Sequence, residues 1–398
     1  MHLLVFNCGS SSLKFELFDI EVPGSASANV SRLAGGTFDE IGSVTTVRLN
    51  AGAAHKIEGS ETIHDHQRAA IRAMDWLHQV DIGVDAVAHR IVHGGTEVTE
   101  PVLVTDKVIS ALENASQFAP LHNPPALSVL RAVSSRLGNI PSVAITDTAF
   151  HQTIPALAHT YAIPRSLSER YGIRRFGFHG IGHAWMMERC AAMRSCAPEK
   201  LNLITLHLGG GCSATAIRQG RSVDTSMGLT PLEGLMMATR SGDIDPAIVT
   251  FLAAHERLSL DQVERMLNHQ SGLLGVSSVS DDLRKIEAEA PQNRYASLAI
   301  EMFCYRVRKY IGAYMAVLGH TDAIVFGGGI GEHSANVREQ ICSGLAQLGV
   351  SIDLQSNRRV SGTEALISEP QSPVSVYVVP LDEEMYMARA AARVLSRA

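Results

Sequence analysis

The chain carries one strand–loop–strand signature twice, once in each half, and this repetition constrains the fold more than any other feature. Residues 3–6 (LLVF) form a short apolar run, as suits a strand buried on both faces. Asn7-Cys8-Gly9-Ser10-Ser11-Ser12 follows, a loop of small residues whose backbone amides can approach a ligand closely. Alternation then resumes, with Leu13, Phe15 and Leu17 on one face and Ser12, Lys14 and Glu16 on the other. That parity puts the Lys14 ammonium beside Ser12. Amides, hydroxyls and a lysine converging on one point suit a phosphate, although an ordinary serine-rich hairpin fits the stretch too. A Walker A loop is excluded, because its spacing differs and a helix would have to follow. In the second half, residues 203–208 are again apolar, Gly209-Gly210-Gly211-Cys212 is again a tight loop, and 213–217 is again strand-like before a turn at Gln219-Gly220.

Two such units imply a duplicated α/β architecture in which two phosphate-gripping hairpins face each other across a nucleotide cleft, as in the actin, Hsp70 and sugar-kinase group. The 398 residues leave room for two domains, each with its own core. We expect one domain from 1–150 plus 384–398, and the other, carrying most nucleotide contacts and a dimer interface, from 151–383. A formal charge of −6 argues against nucleic acid or an anionic membrane as partner. No basic-flanked leader and no membrane-length apolar run is legible, so a cytoplasmic protein is expected. The cysteines (Cys8, Cys190, Cys196, Cys212, Cys304 and Cys342) show no CxxC pairing and read as buried thiols. His89/His93 and His179/His183 have i, i+4 spacing but lack HExxH, and His89 reads as part of a strand, so a zinc site is not expected.

In chain order, 21–31 reads as a loop, 36–57 as one or two strands, and 62–80 as a helix. Residues 85–92 form a strand interrupted by His89-Arg90. Helices follow at 106–115 and 124–137, the second with Asn123 as N-cap and Pro124 at its first position. Asp147 sits just past the strand 142–146, at the carboxyl end where open α/β sheets bind ligands. FGFHGIGH (176–183) leads into a helix. Arg240, Asp243 and Asp245 punctuate the apolar stretch 222–247, which is unlike simple packing. A helix spans 294–318. A strand at 323–326 runs into Gly327-Gly328-Gly329-Ile330-Gly331-Glu332, read as a turn before a helix starting near Ser334, which suits nucleotide. The last strand is 374–379 and the last helix 383–397.

Several of these stretches together resemble acetate kinase, within the acetate/propionate/butyrate kinase family. They are NCGSSSLKFELF at Asn7, HRIVHGG at His89, APLHNPPAL at Ala119, DTAFHQTIP at Asp147, YGIRRFGFHG at Tyr171, HLGGGCS at His207, VDTSMGLTPLEGLMMATRSGDIDP at Val223 and FGGGIGEHSA at Phe326. The resemblance implies a cytoplasmic homodimer that makes acyl phosphate from ATP and a short carboxylate, with Mg²⁺ or a substituting Mn²⁺. It implies Asn7 and Glu383 at the metal, with Glu383 preferred over Glu384 on the family's pattern alone. It implies Lys14 near the nucleotide phosphates, Arg90 on the substrate, Asp147 as the catalytic aspartate, and His179 and Arg240 as transition-state stabilisers. His207, Leu208, Gly209, Gly210 and Gly211, then Asp282, Leu283 and Arg284, then Gly329, Ile330, Gly331, Glu332 and His333 match nucleotide-binding segments. Val92, Leu121, Phe178 and Pro231 match the pocket around the substrate's methyl group, and their bulk favours acetate.

Elementary chemistry agrees with these implications. Acetate is already ionised at neutral pH, so transfer to it needs charge neutralisation and alignment rather than proton removal. Two arginines and a histidine suit that task. A carboxylate beside the attacking acetate would repel it, so Asp147 is expected to orient an arginine or a metal-bound water. Read without the resemblance, Arg90 also fits a surface charge and His179 a packing histidine. The chain departs from the family's usual pattern at Gly210, Ile181-Gly182, His333 and Leu381-Asp382, which bears on nucleotide preference. A propionate or butyrate kinase remains an alternative. So does an ATP-switched binding protein of the actin type, which would hydrolyse ATP without needing a carboxylate.

Overall fold

The computed structural model describes residues 1–21, 30–138 and 140–397. They divide into two compact units, Met1–Phe150 with Asp382–Ala398, and His151–Leu381. The second unit therefore ends at Leu381 where the sequence suggested residue 383. Most of the loop expected at 21–31 lies outside the described residues.

The first unit is built on an eight-stranded sheet of order β5-β4-β3-β2-β1-β6-β8-β7. Its strands are β1 (His2–Cys8), β2 (Ser12–Ile20), β3 (Val30–Asp39), β4 (Val44–Asn50), β5 (Lys56–Thr62), β6 (Ala86–Ile91), β7 (Val102–Leu103) and β8 (Ser142–Thr146). The span 36–57 thus holds parts of three strands, not one or two. β1 pairs antiparallel with β2 and parallel with β6, which is parallel to β8. The alternation read in β2 holds, with Leu13, Phe15 and Leu17 fully buried. Phe15 sits at the centre of an aromatic core, 6.2 Å from Phe6, 6.2 Å from Phe38 and 6.0 Å from Trp76. Trp76 comes from the helix His66–Gln79, which starts later than expected because Asp65 caps it, accepting from the Arg68 amide at 2.7 Å.

The second unit holds a six-stranded sheet of order β11-β10-β9-β12-β14-β13. Its strands are β9 (Asn202–Leu208), β10 (Cys212–Arg218), β11 (Arg221–Thr225), β12 (Ala323–Gly327), β13 (Ala365–Leu366) and β14 (Ser375–Val378). β9 pairs antiparallel with β10 and parallel with β12, which is parallel to β14. This is the β3-β2-β1-β6-β8-β7 order over again, so the duplication read from two hairpins extends through both sheets. The helix Arg294–Leu318 has the expected bounds and buries Ala299, Phe303, Val307, Ile311 and Tyr314 on one face. Gly327-Gly328-Gly329 departs from the expected turn. Gly328–His333 is already helical, and Ser334 caps a further helix, Ala335–Cys342. Close packing demands glycine where this helix begins: Gly328 has φ +76°, and a Cβ there would lie 2.6 Å from the Leu208 carbonyl oxygen.

All six cysteines are free, five of them buried. Among the described residues no helix is long and apolar enough to cross a membrane.

Candidate active site

In the first unit, parallel pairing of β1, β6 and β8 brings their carboxyl ends side by side, and those ends carry Asn7, Arg90 and Asp147. Arg90 grips Asp147 with two bonds, Nε to Oδ1 at 3.0 Å and Nη2 to Oδ2 at 2.6 Å. Its Nη1 donates to Asn7 Oδ1 at 2.9 Å. Asp147 is 1% exposed. Burial opposes the charge on Arg90, but Asp147, Glu383 and Glu384 outweigh it and push its pKa up. The aspartate therefore fixes the arginine's plane and charge.

Asn7 turns its amide nitrogen toward the C-terminal helix Glu383–Leu395, donating to Glu384 Oε1 at 2.9 Å and to Glu383 Oε2 at 3.3 Å. The family's pattern alone prefers Glu383 over Glu384, and the surroundings of the two glutamates differ. Glu384 is buried and paired with Lys14 Nζ at 2.8 Å. Glu383 has no lysine or arginine of its own among the described residues, and its pKa is raised by burial and by Asp147 and Glu384, with Arg90 opposing. Lys14 also meets Glu16 at 3.2 Å, so the hairpin lysine is held between two carboxylates.

In the second unit, the loop after β9 closes on itself, Gly209 N donating to Gly211 O at 3.1 Å. His179 stands at the start of the helix Gly180–Met193 with φ +56°, an unfavourable backbone for a residue with a Cβ. Its Nδ1 bonds Ser213 Oγ at 2.9 Å, and its ring stacks on His207 with centroids 4.1 Å apart. Ser213 in turn meets His183 Nε2 at 2.7 Å, and His183 Nδ1 meets Thr205 Oγ1 at 2.7 Å. Arg240 Nη1 donates to the Pro231 carbonyl at 3.2 Å. No carboxylate pairs with Arg240 among the described residues, and burial lowers its pKa. The two groups converge over Gly211, where a Cβ would lie 3.2 Å from the His179 ring and 3.6 Å from Arg240 Nη1.

Beside this pair lies a cavity of about 620 Å³, within the usual range for small-molecule sites. Gly209, Gly210, Asp282, Leu283, Arg284, Gly329, Ile330 and His333 line it, so three separate nucleotide segments expected from sequence meet at one place. Asp281, Glu287 and Ser334 complete the lining. His207, Leu208, Gly211, Gly331 and Glu332 flank it in the chain without lining it.

Of the residues expected around the methyl group, Val92 and Phe178 are buried within their units, Pro231 is half-buried and Leu121 is 59% exposed. Asn123 is not a helix cap. Its side chain accepts from the His93 amide at 3.0 Å and donates to the His93 carbonyl at 2.9 Å, clamping the turn that follows Val92. Two further groups escaped the sequence reading. His151 Nε2 donates to the Phe178 carbonyl at 3.0 Å, anchoring the approach to His179. Arg338 is fully buried with no carboxylate partner among the described residues, all its N–H groups donating to oxygens of Gly331, Glu332, Asn357 and Val360. It ties down the helix Gly328–His333 beside the cavity.

A family model described as the acetokinase family matches residues 2–389. The chain belongs to the acetokinase family. It is 46% identical over 404 residues to the acetate kinase of Halothermothrix orenii, covering 99% of this chain and 100% of that one. Among solved structures it resembles Porphyromonas gingivalis acetate kinase, with TM-score 0.90, 38% identity and 99% of each chain covered. A propionate kinase from Francisella tularensis is similar to it as well, with TM-score 0.89, 38% identity and 98% of each chain covered. The repeated sheets are the duplicated actin-like fold of these acetokinase structures.

Proposed function

We infer that this protein is an acetate kinase, transferring the γ-phosphoryl group of ATP reversibly to acetate to give acetyl phosphate and ADP. The observation that carries the reading is Arg240, a half-buried arginine with no carboxylate partner among the described residues, converging with His179 over Gly211 beside the cavity. Such a pair asks for an anion. The transferring phosphoryl group spreads negative charge over three equatorial oxygens, and fixed cationic donors stabilise it without reorganising.

Each polar centre has a part in the reading. Arg90, held flat by Asp147, binds the acetate carboxylate through donors left by its fork; Asp147 acts by positioning Arg90. His179 donates from the imidazole edge opposite the one bonded to Ser213. The cavity takes the nucleoside of ATP, and Lys14 serves the phosphates once it exchanges a carboxylate partner for them. Val92, Phe178 and Pro231, with Leu121, limit the acyl chain.

The family uses ATP and generally needs a divalent metal; we assign Mg²⁺, with Mn²⁺ able to replace it. The donor set fits. Glu383 lacks a cation of its own, and the Asn7 carbonyl oxygen keeps a second lone pair. Among the described residues no group of three or more metal-binding side chains assembles. Mg²⁺ takes few protein ligands and completes its shell with water and phosphate oxygens, so two donors are enough for it. When bound, the metal neutralises phosphate charge.

The reading includes a cytoplasmic homodimer. In the second unit Phe251, Leu260, Tyr295, Leu298 and Tyr305 stand exposed, and apolar surface of this kind supports a subunit interface there.

The test is acyl-phosphate formation from Mg·ATP with acetate, propionate and butyrate in parallel, trapped with hydroxylamine. Acetate turned over best is the expected result. ATP hydrolysed with no acyl phosphate from any carboxylate would overturn it in favour of an ATP-switched binding protein. Propionate or butyrate winning would keep the chemistry and reassign the substrate.

A further inference from the structure

We propose that His333 holds the nucleobase, acting through the face of its imidazole as a stacking platform for a purine. The proposal rests on the nucleotide reading of the cavity and goes beyond it by naming what holds the base.

The ring is pinned along its edges. Nδ1 meets Ser361 Oγ at 2.9 Å. Nε2 lies 3.9 Å from Glu332 Oε2. The Cε1 edge abuts Gly362, where a Cβ would come within 2.8 Å of it. Gly362 has φ +66°, so that contact is built into a backbone shape glycine favours. Glu332 is itself anchored, its Oε1 accepting from the Leu381 amide at 3.0 Å. The backbone under the ring is fixed too, because Arg338 holds the carbonyls of Gly331 and Glu332 at 2.8 and 3.0 Å.

Yet the His333 side chain is 59% exposed and lines the cavity. With Nδ1 bonded to Ser361 and the Cε1 edge against Gly362, the plane of the ring is set, and its face is the part we assign to the base. A pre-oriented ring loses little entropy on binding, and base–aromatic stacking depends on the π-face rather than on edge hydrogen bonds. Leu283 and Ile330 supply the apolar part of the same lining. Across the cavity, Gly210 contributes no side chain, and a Cβ there would meet nothing within 4 Å, which leaves space for a flat ligand.

The experiment separates face from edge. His333→Ala, His333→Asn and His333→Phe are made in the full-length protein, with melting temperatures to check folding. For each, kcat, KM for ATP, KM for acetate and the inhibition constant of inorganic tripolyphosphate, which has no base, are measured. The Ala and Asn variants are expected to raise KM for ATP about 10-fold, within the ~1–3 kcal/mol range of base stacking. The Phe variant, which keeps a ring face and loses both nitrogens, should stay within about 3-fold of wild type. KM for acetate and tripolyphosphate inhibition should not move in any of them.

If Asn preserves affinity and Phe loses it, the edge reads the base and the proposal falls. It falls also if tripolyphosphate inhibition weakens in step with ATP affinity, since His333 would then only support the cavity. Should the wild type form no acyl phosphate at all, the functional reading fails separately. Calorimetric titration of ADP and tripolyphosphate against the same variants then still decides whether the ring stacks a base.

Discussion

The two units repeat one sheet topology but furnish it with opposite chemistry. Around β1 and β6 of the first unit, cations meet carboxylates: Arg90 meets Asp147, and Lys14 meets Glu384 and Glu16. Around the equivalent β9 of the second unit, His179, His183, His207 and Arg240 gather with hydroxyls and carbonyls, and no carboxylate pairs with Arg240 among the described residues. The first centre has excess negative charge suited to a metal and to cations fixed in place. The second has unspent positive charge suited to an anion. Duplication supplied the frame; the side chains at matching strand ends divided the work.

The largest expected effect tests the anion side. Arg240→Ala should lower kcat by about 10³-fold or more, the scale for arginines that stabilise a transferring phosphoryl group. Arg240→Lys should recover only part, because a point charge replaces a planar fork. Rate assays beside thermal melts check this. A lower melting temperature with kcat intact would make Arg240 structural and dissolve the contrast between the units.

Next comes the carboxylate side. Asp147→Asn keeps the shape but removes the charge that holds Arg90, and it leaves a buried guanidinium without its counter-ion. We expect kcat/KM for acetate to fall about 10²-fold, with KM for ATP little changed. Equal loss in both KM values would mean that Asp147 supports the fold rather than orienting Arg90.

The hairpin loops give a smaller, paired comparison. A Cβ on Gly211 would crowd the rigidly held His179 ring at 3.2 Å, whereas one on Gly9 would meet Ser12 Oγ at 2.5 Å, a hydroxyl able to rotate away. Gly211→Ala is therefore expected to cost about 10-fold in kcat, since small misplacements of a catalytic group are expensive. Gly9→Ala should cost less than about 3-fold. The reverse order would put the chemistry nearer the first loop.

What the sequence disclosed follows the range of the interactions involved. Both hairpins, the helix Arg294–Leu318 and Asp147 at its strand end were legible because period-2 alternation, helical periodicity and turn residues are local signals. The pairing of Lys14 with Glu384 was not, since its partners are 370 residues apart. Nor was Asn123, where a capping residue beside a proline looked like a local signal while a turn 30 residues away claimed its side chain. Gly328 misled for the opposite reason. A glycine run reads as a turn by propensity, yet packing against Leu208 requires glycine inside a helical turn.

The smallest effect concerns a buried histidine in each unit, and it sharpens the contrast at the level of stability. His89 lies in β6 against Phe6, and among the described residues neither ring nitrogen has a hydrogen-bond partner; burial pushes its pKa down to about 3. His183 is also held far below its ordinary value, by burial first and then by His151 and His207, but both its nitrogens are bonded. The unfolded chain protonates either ring near pH 6.5, and the folded chain only at lower pH. Below about pH 6.5 the unfolded state binds more protons, so their contribution to stability is fully present above that pH and is lost as pH falls, for His89 toward 3. Replacing His89 by Phe removes this acid sensitivity and strands no partner. The melting temperature at pH 7 should stay nearly unchanged while the decline between pH 6 and 4 becomes shallower. Replacing His183 by Phe also removes a proton site, but it leaves Ser213 and Thr205 without bonds they now make, at a cost of about 1–3 kcal/mol at every pH. Melts of the two variants across that pH range would read the difference directly. If His89→Phe leaves the acid limb as steep as wild type, the acid sensitivity lies elsewhere, and the carboxylates of the first unit become the groups to titrate.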